Sequence, residues 1–224
     1  MLHIKPGSTT GVISHEYMHL ILRMAIGKDA YEKYFGHGED HSMLNEYPGA
    51  TAKSEAGATE EGLVAGLATM ASANKSPIWK DGKQEADLEN NTLVFKERRV
   101  HPGTKKEETV TVTVTQFVSG KNVYFRYDAS YSDGTTQTTY SDWLEAAKVE
   151  FCIACALRDF LDGPANGVAD KDNDGLSISL ATVLTAISNR TPKNFKELAE
   201  ELRKGLSAEE KKAFDKILEN HGLK

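Results

Sequence analysis

The sequence predicts an α+β fold in which helical regions at both ends of the chain flank an antiparallel β-meander. Two observations carry this reading. In the middle of the chain Val110, Val112 and Val114 alternate with threonines, and Val123, Phe125 and Tyr127 alternate with polar residues, a period of two. On either side, apolar residues recur at the 3.6-residue spacing of helices. The chain divides accordingly into a helical region at 1–77, the meander at 78–140 and a second helical region at 141–224, and all three can form one compact domain. With 224 residues, 39% of them apolar and 27% charged, there is enough chain for a full core.

The first helix is marked by Val12, Ile13, Met18, Leu20, Ile21, Leu22, Met24, Ala25 and Ile26, with Ser8, Thr9 and Thr10 offering N-caps and Gly27-Lys28-Asp29 a stop. Tyr31 to Tyr34 can add a short helical turn. Residues 36–57, rich in Gly, His, Ser and Asn, read as a loop. A second helix is expected from about Thr59 to Ala73, with Leu63, Ala65, Leu67, Met70 and Ala71 apolar, and residues 78–90 read as a charged linker. Strands follow at Leu93–Phe95, around Val110–Val114, around Val123–Tyr127 and at Thr135–Tyr140, the middle two joined at Ser119-Gly120-Lys121-Asn122. One face of this three- or four-stranded meander is apolar and must be covered, most simply by the helices. Asp142 with Glu145 resembles a capping box opening a long buried helix to about Leu161. Three shorter helices are then expected: Ile178–Ser188; Pro192–Lys204 with Thr191 as cap; and Ala208–Asn220 capped by Ser207 with Glu210. Cys152 and Cys155 fall within an apolar helical pattern and read as core residues.

Chemistry concentrates in His15-Glu16-Tyr17-Met18-His19. On a helix, positions i and i+4 share a face, so two neutral imidazoles can grip one Zn²⁺ from the same side while Glu16 reaches a water beside it. The run resembles the signature of the zincin metallopeptidases, and the segment from about residue 8 to 75 carries the resemblance. The metzincin extension is absent from Leu20-Ile21-Leu22-Arg23-Met24. In the gluzincin branch the third ligand is a Glu on a following helix, and Glu61-Gly62-Leu63-Val64-Ala65 is similar to that pattern, with 41 residues separating Glu61 from His19. The resemblance therefore implies a zincin-like helical domain with His15, His19 and Glu61 as zinc ligands, Glu16 as general base, and a peptide or protein as substrate. Glu60 is a rival ligand, but neighbours on a helix point about 100° apart, so only one of the two can face the metal. His37, Asp40 and His41 lie in a Gly-rich loop between the helices and read as surface groups. His101, Tyr127 and Tyr140 are candidates to stabilise the oxyanion. Zincins place a sheet ahead of the active-site helix, and only fourteen residues precede His15, so either the sheet comes from later in the chain or the chain is a trimmed form. The competing reading is a non-catalytic, metal-stabilised surface or adhesion module on a zincin-like scaffold. The intact Glu16 favours the enzyme.

A second metal site is suggested by Asp170, Asp172 and Asp174, which stand at positions 1, 3 and 5 of a loop with Gly175 at position 6. Such spacing converges hard oxygen ligands on Ca²⁺, and the loop resembles those of EF-hands, dockerins and thrombospondin type 3 repeats. Ala181 stands at position 12 where an acid is usual, so binding would be weak or completed by Asp162 or a backbone carbonyl. The alternative is a polar turn without an ion. A weak calcium site would suit a secreted or cell-surface setting, although Met1 to Pro6 shows no export signal. The net charge of −6 supplies no basic stripe and argues against nucleic acid. No run reaches the ~18 apolar residues of a membrane span.

Overall fold

The computed structural model describes residues 8–35, 55–71, 76, 78–80, 84–168, 174–190 and 192–224. The expected loop at 36–54 with His37, Asp40 and His41, and also Asp170, Asp172 and Thr191, lie outside the described residues. The architecture is mixed α and β, as expected: seven α-helices among the described residues and an open antiparallel sheet.

Helix α1 spans Thr10–Ile26. Thr9 caps it by accepting from the Val12 N–H, and Gly27, at φ 89°, ends it while its own N–H donates to the Arg23 carbonyl. The short α2, Lys28–Tyr34, begins three residues earlier than expected and turns back along α1. Helix α3 spans Glu55–Ala71, starting a full turn before the expected Thr59. It is buried from Ala58 to Met70 except at Glu61, because Leu63, Val64, Leu67 and Met70 face the helical core and Ala65 and Ala68 face the sheet.

The sheet is a meander in sequence order: β1 (Ile78–Lys80), β2 (Gln84–Asp87), β3 (Thr92–Val100), β4 (Glu107–Ser119), β5 (Asn122–Ser130) and β6 (Thr136–Tyr140). Register brings Phe95 and Ala129 onto either side of Val112, and Leu93 and Tyr127 onto either side of Val114, which makes one continuous apolar face. The stretch 78–90 is therefore not a linker. It forms β1 and β2, whose pattern is faint because only Ala86 of β2 is fully buried at this end of the sheet.

Beyond the sheet, the expected capping box of Asp142 and Glu145 does not form. Leu144 and Glu145 instead pair with Val123 and Asn122 of β5 as β7, and Ala146–Lys148 make a single 3₁₀ turn. Backbone pairing offered by β5 thus wins over a side-chain cap, and α4 runs only over Glu150–Leu161. Every residue of α4 is buried, since it lies between the sheet and the other helices. Cys152 and Cys155 are reduced core residues there, as expected, and burial pushes both thiols well up from their usual range. Helix α5 is Leu180–Arg190. Helix α6 is Phe195–Lys204, shorter than expected: Asn194 caps it, accepting from the Glu197 N–H at 3.0 Å, so Pro192 lies ahead of the helix. Helix α7, Ala208–Asn220, has the expected reciprocal capping box between Ser207 and Glu210.

Two hydrophobic cores result, one among the helices and one beneath the sheet, and α3 and α4 belong to both. They meet closely: a Cβ at Gly62 would lie 2.7 Å from the Ile153 Cβ and 2.8 Å from the Glu150 carbonyl, and one at Gly66 would lie 2.9 Å from a Leu157 methyl. Glycine is required at this crossing because no side chain fits. Gly62→Ala should lower the unfolding free energy by about 1–3 kcal/mol through overpacking. Urea midpoints for the variant and the parent check this, and an unchanged midpoint would show that the two helices are not in contact there.

Candidate metal centre

Helix α1 presents one side to α3, and the residues of that side include His15, His19 and Leu22. Their spacing is that of a helix face, so His15 and His19 stack one turn apart with ring centroids 4.9 Å apart and rings nearly perpendicular. Glu61 reaches them from α3. Its Oε2 lies 3.0 Å from His15 Nε2 and 3.3 Å from His19 Nε2, and the two Nε2 atoms are 3.3 Å apart. The three groups that the sequence singles out as ligands are therefore brought together, among the described residues the one such group of His, Cys, Asp or Glu side chains.

The size of this triangle can be compared with a zinc site. Tetrahedral bonds of ~2.0–2.1 Å put ligand atoms about 3.3–3.4 Å apart. The observed edges match to within a few tenths of an ångström. The donor set matters more than the size: two imidazole nitrogens with one carboxylate suit zinc and its first-row neighbours, whereas calcium and magnesium take oxygen. These residues fit a zinc ion.

Glu60, the rival ligand, turns away from the triangle. Its Oε1 lies 3.0 Å from Nδ1 of His19, on the far side of the ring, and accepts the hydroxyl of Tyr31 from α2. The Tyr31 oxygen is itself 3.1 Å from that Nδ1. An ion pair between Arg23 and Glu32 at 2.6 Å adds a second tie between α1 and α2. The two adjacent glutamates do point to different places, Glu61 to the Nε2 atoms and Glu60 behind the His19 ring, but the sequence argument gave Glu60 no task and missed Tyr31. The signal was present in the Glu-Glu doublet, since a helix turns the second carboxylate towards whatever lies behind the ring.

Glu16 follows His15 by one position, about 100° around α1, and is partly buried. No described residue hydrogen-bonds its carboxylate, which leaves its lone pairs available for a proton. All three candidates for the oxyanion lie in the sheet or its turns rather than on the helices that carry the histidines and Glu61. His101 accepts the Gly103 and Thr104 N–H groups at Nδ1 and pairs with Asp133 through Nε2, locking two turns of the sheet together. Tyr140 is exposed at the sheet edge near Tyr124. Tyr127 is buried in the sheet core. In the expected calcium loop, Gly175 has the left-handed φ of 79° and Asp174 accepts the Leu176 N–H at 2.7 Å. Asp162 is buried at the end of α4.

Electrostatically the cluster favours a cation. Burial acts to lower the pKa of His19, but the hydrogen bonds to Glu60 and Glu61 and their charges override it and push it up to about 10. Burial, then the charge of Glu60, raises the Tyr31 phenol well above its usual value. No protein-family model, curated protein or solved structure matches the chain. No helix among the described residues is long and apolar enough to cross a membrane.

The raised pKa of His19 gives a pH dependence in the metal-free protein. Its contribution to stability is complete below the ordinary value of 6.5 and is lost as pH climbs towards about 10. Urea midpoints taken in chelator across this window should fall with pH, and His19→Gln should flatten the fall. Identical slopes for the two proteins would show that His19 is not held against these carboxylates.

Proposed function

We propose that the chain is a zinc-dependent peptidase with a zincin-like site. The observation that supports this best is the convergence of His15 Nε2, His19 Nε2 and Glu61 Oε2 within 3.0–3.3 Å, with both histidines on a helix that also carries the uncommitted carboxylate of Glu16. His15 and His19 offer their Nε2 lone pairs and Glu61 one carboxylate oxygen, a three-ligand set that leaves a fourth position open, as hydrolytic zinc sites do. Zinc held there supplies Lewis acidity to a peptide carbonyl and to water.

Glu16 handles the proton. Its carboxylate accepts a proton from the attacking water as the new C–O bond forms, and returns it to the leaving nitrogen as the C–N bond breaks; the second water proton then passes from the new carboxyl group to the amine, so the products are a carboxylate and an ammonium group. The same side chain serves as base and then as acid. A metal site with a purely structural task has no use for such a group beside its ligands, which favours hydrolysis over a non-catalytic module.

Glu16→Gln should keep one zinc per chain and lose hydrolysis by about 10²–10⁴-fold, because an amide cannot take the proton. Glu61→Ala should instead lose the metal. Zinc content by elemental mass spectrometry, paired with cleavage of an unstructured protein substrate, checks both. Full peptidase activity in Glu16→Gln would refute this mechanism, and zinc retained at parent affinity by Glu61→Ala would refute the ligand set.

A further inference from the structure

The hydrogen bonds behind His19 admit one consistent assignment. A carboxylate only accepts, so the Tyr31 O–H donates to Glu60 Oε1, and the lone pairs of Tyr31 then face His19 Nδ1 at 3.1 Å. Glu60 Oε1 faces the same nitrogen at 3.0 Å. Confronted by two acceptors, Nδ1 must carry the hydrogen. In the neutral imidazole this leaves Nε2 as a bare lone pair, and Nε2 is the atom that meets Glu61 and His15.

We propose that Glu60 and Tyr31 are positioning residues that hold His19 in its Nδ1–H tautomer and make metal binding depend on the docking of α2. The adjacent glutamates of α3 then divide the work, Glu61 towards the ion and Glu60 towards the ring behind it. Glu60 also supplies a second negative charge, which with Glu61 balances a divalent ion, and hydrogen bonding to a carboxylate raises the basicity of the ligating nitrogen. The side chain of Glu60 is only 8% exposed, so little water competes for this bond.

Tyr31 extends the arrangement to a second element. At seven residues α2 is far too short to be stable alone, and it is held by Tyr31 and Phe35 in the helical core and by the Arg23–Glu32 pair. Because Tyr31 shares Glu60 with His19, docking of α2 and binding of the metal favour the same arrangement of Glu60. Such a coupling is reciprocal: metal should tighten α2 by the same factor as docked α2 tightens the metal.

This rests on the zinc reading, and the experiment separates the two. Zinc dissociation constants would be measured by chelator competition, with the visible spectrum of the cobalt form, for the parent, Glu60→Gln, Glu60→Asp, Tyr31→Phe and Glu32→Gln. Glu60→Gln should weaken zinc binding by about 10–100-fold and alter the cobalt spectrum, with partial recovery in Glu60→Asp. Tyr31→Phe, which removes one oxygen and keeps the packing, should weaken binding several-fold and carries the test if Glu60→Gln does not fold. Glu32→Gln, which loosens one tie of α2 but leaves the partners of the His19 ring in place, should weaken binding less than Tyr31→Phe and leave the cobalt spectrum as in the parent. Hydrogen exchange over residues 28–35 should slow on adding zinc to the parent and not to Tyr31→Phe. Equal affinities and spectra in the parent, Glu60→Gln and Tyr31→Phe would overturn the positioning role while leaving the metal site standing. A parent that binds neither zinc nor cobalt would overturn both.

Discussion

The close crossing of α3 and α4 sets the rest of the structure. Gly62 and Gly66 lie one turn apart on the face of α3 that meets Ile153 and Leu157, and no other residue type allows the backbones to come this near. That contact fixes the rotation of α3 about its own axis. At about 100° per residue, Glu60 and Glu61 then emerge on either side of the direction opposite α4, roughly 120–140° from the glycine face. This is where α1 passes. Two carboxylates can therefore straddle one histidine because two glycines on the other side leave α3 no freedom to roll.

Burial then turns geometry into chemistry. Glu60 and Glu61 are both mostly withdrawn from water, and ionised carboxylates in such a setting carry a large desolvation penalty unless positive charge offsets it. Without an ion the offset comes from a proton on His19, whose pKa is pushed up to about 10 against the opposing effect of burial. A divalent ion would be a better match, since it would replace that proton and interact with both imidazoles and Glu61 at once. Elsewhere the helical part meets the same demand with fixed partners, as where Asp159 on α4 pairs at 2.8 Å with the buried His221 after α7.

Much of this was legible in the sequence, and the parts that were not share a cause. The motif helix, the long alternating strands and the capping box of α7 depend on spacing within one segment, and spacing is what a sequence displays, whereas Glu61 was singled out by the resemblance to the gluzincin pattern. The strands β1 and β2 escaped notice because they are only three and four residues long and β2, with Ala86 its one buried residue, shows no alternation. The box expected at Asp142 failed because β5 offered Leu144 and Glu145 backbone partners that no local pattern announces. Tyr31 was invisible for the same reason: its task exists only once α2 has folded back on α1 and α3 has brought Glu60 to meet it. Helical spacing set His15 beside His19, whereas what packs around them depends on contacts between elements.

The connectivity also implies an order of assembly. Each strand from β1 to β6 pairs with its neighbour in sequence, so the meander needs only short loops to close and can form early from local contacts. Helix α1 is placed differently. Its neighbours include both α3 and α5, and α5 begins about 150 residues further along the chain, so α1 cannot settle fully until everything between them has been made. The histidines of α1 thus acquire their final surroundings late, through contacts that bridge most of the described fold. Until then any metal ion they met would find two imidazoles without Glu61 fixed beside them.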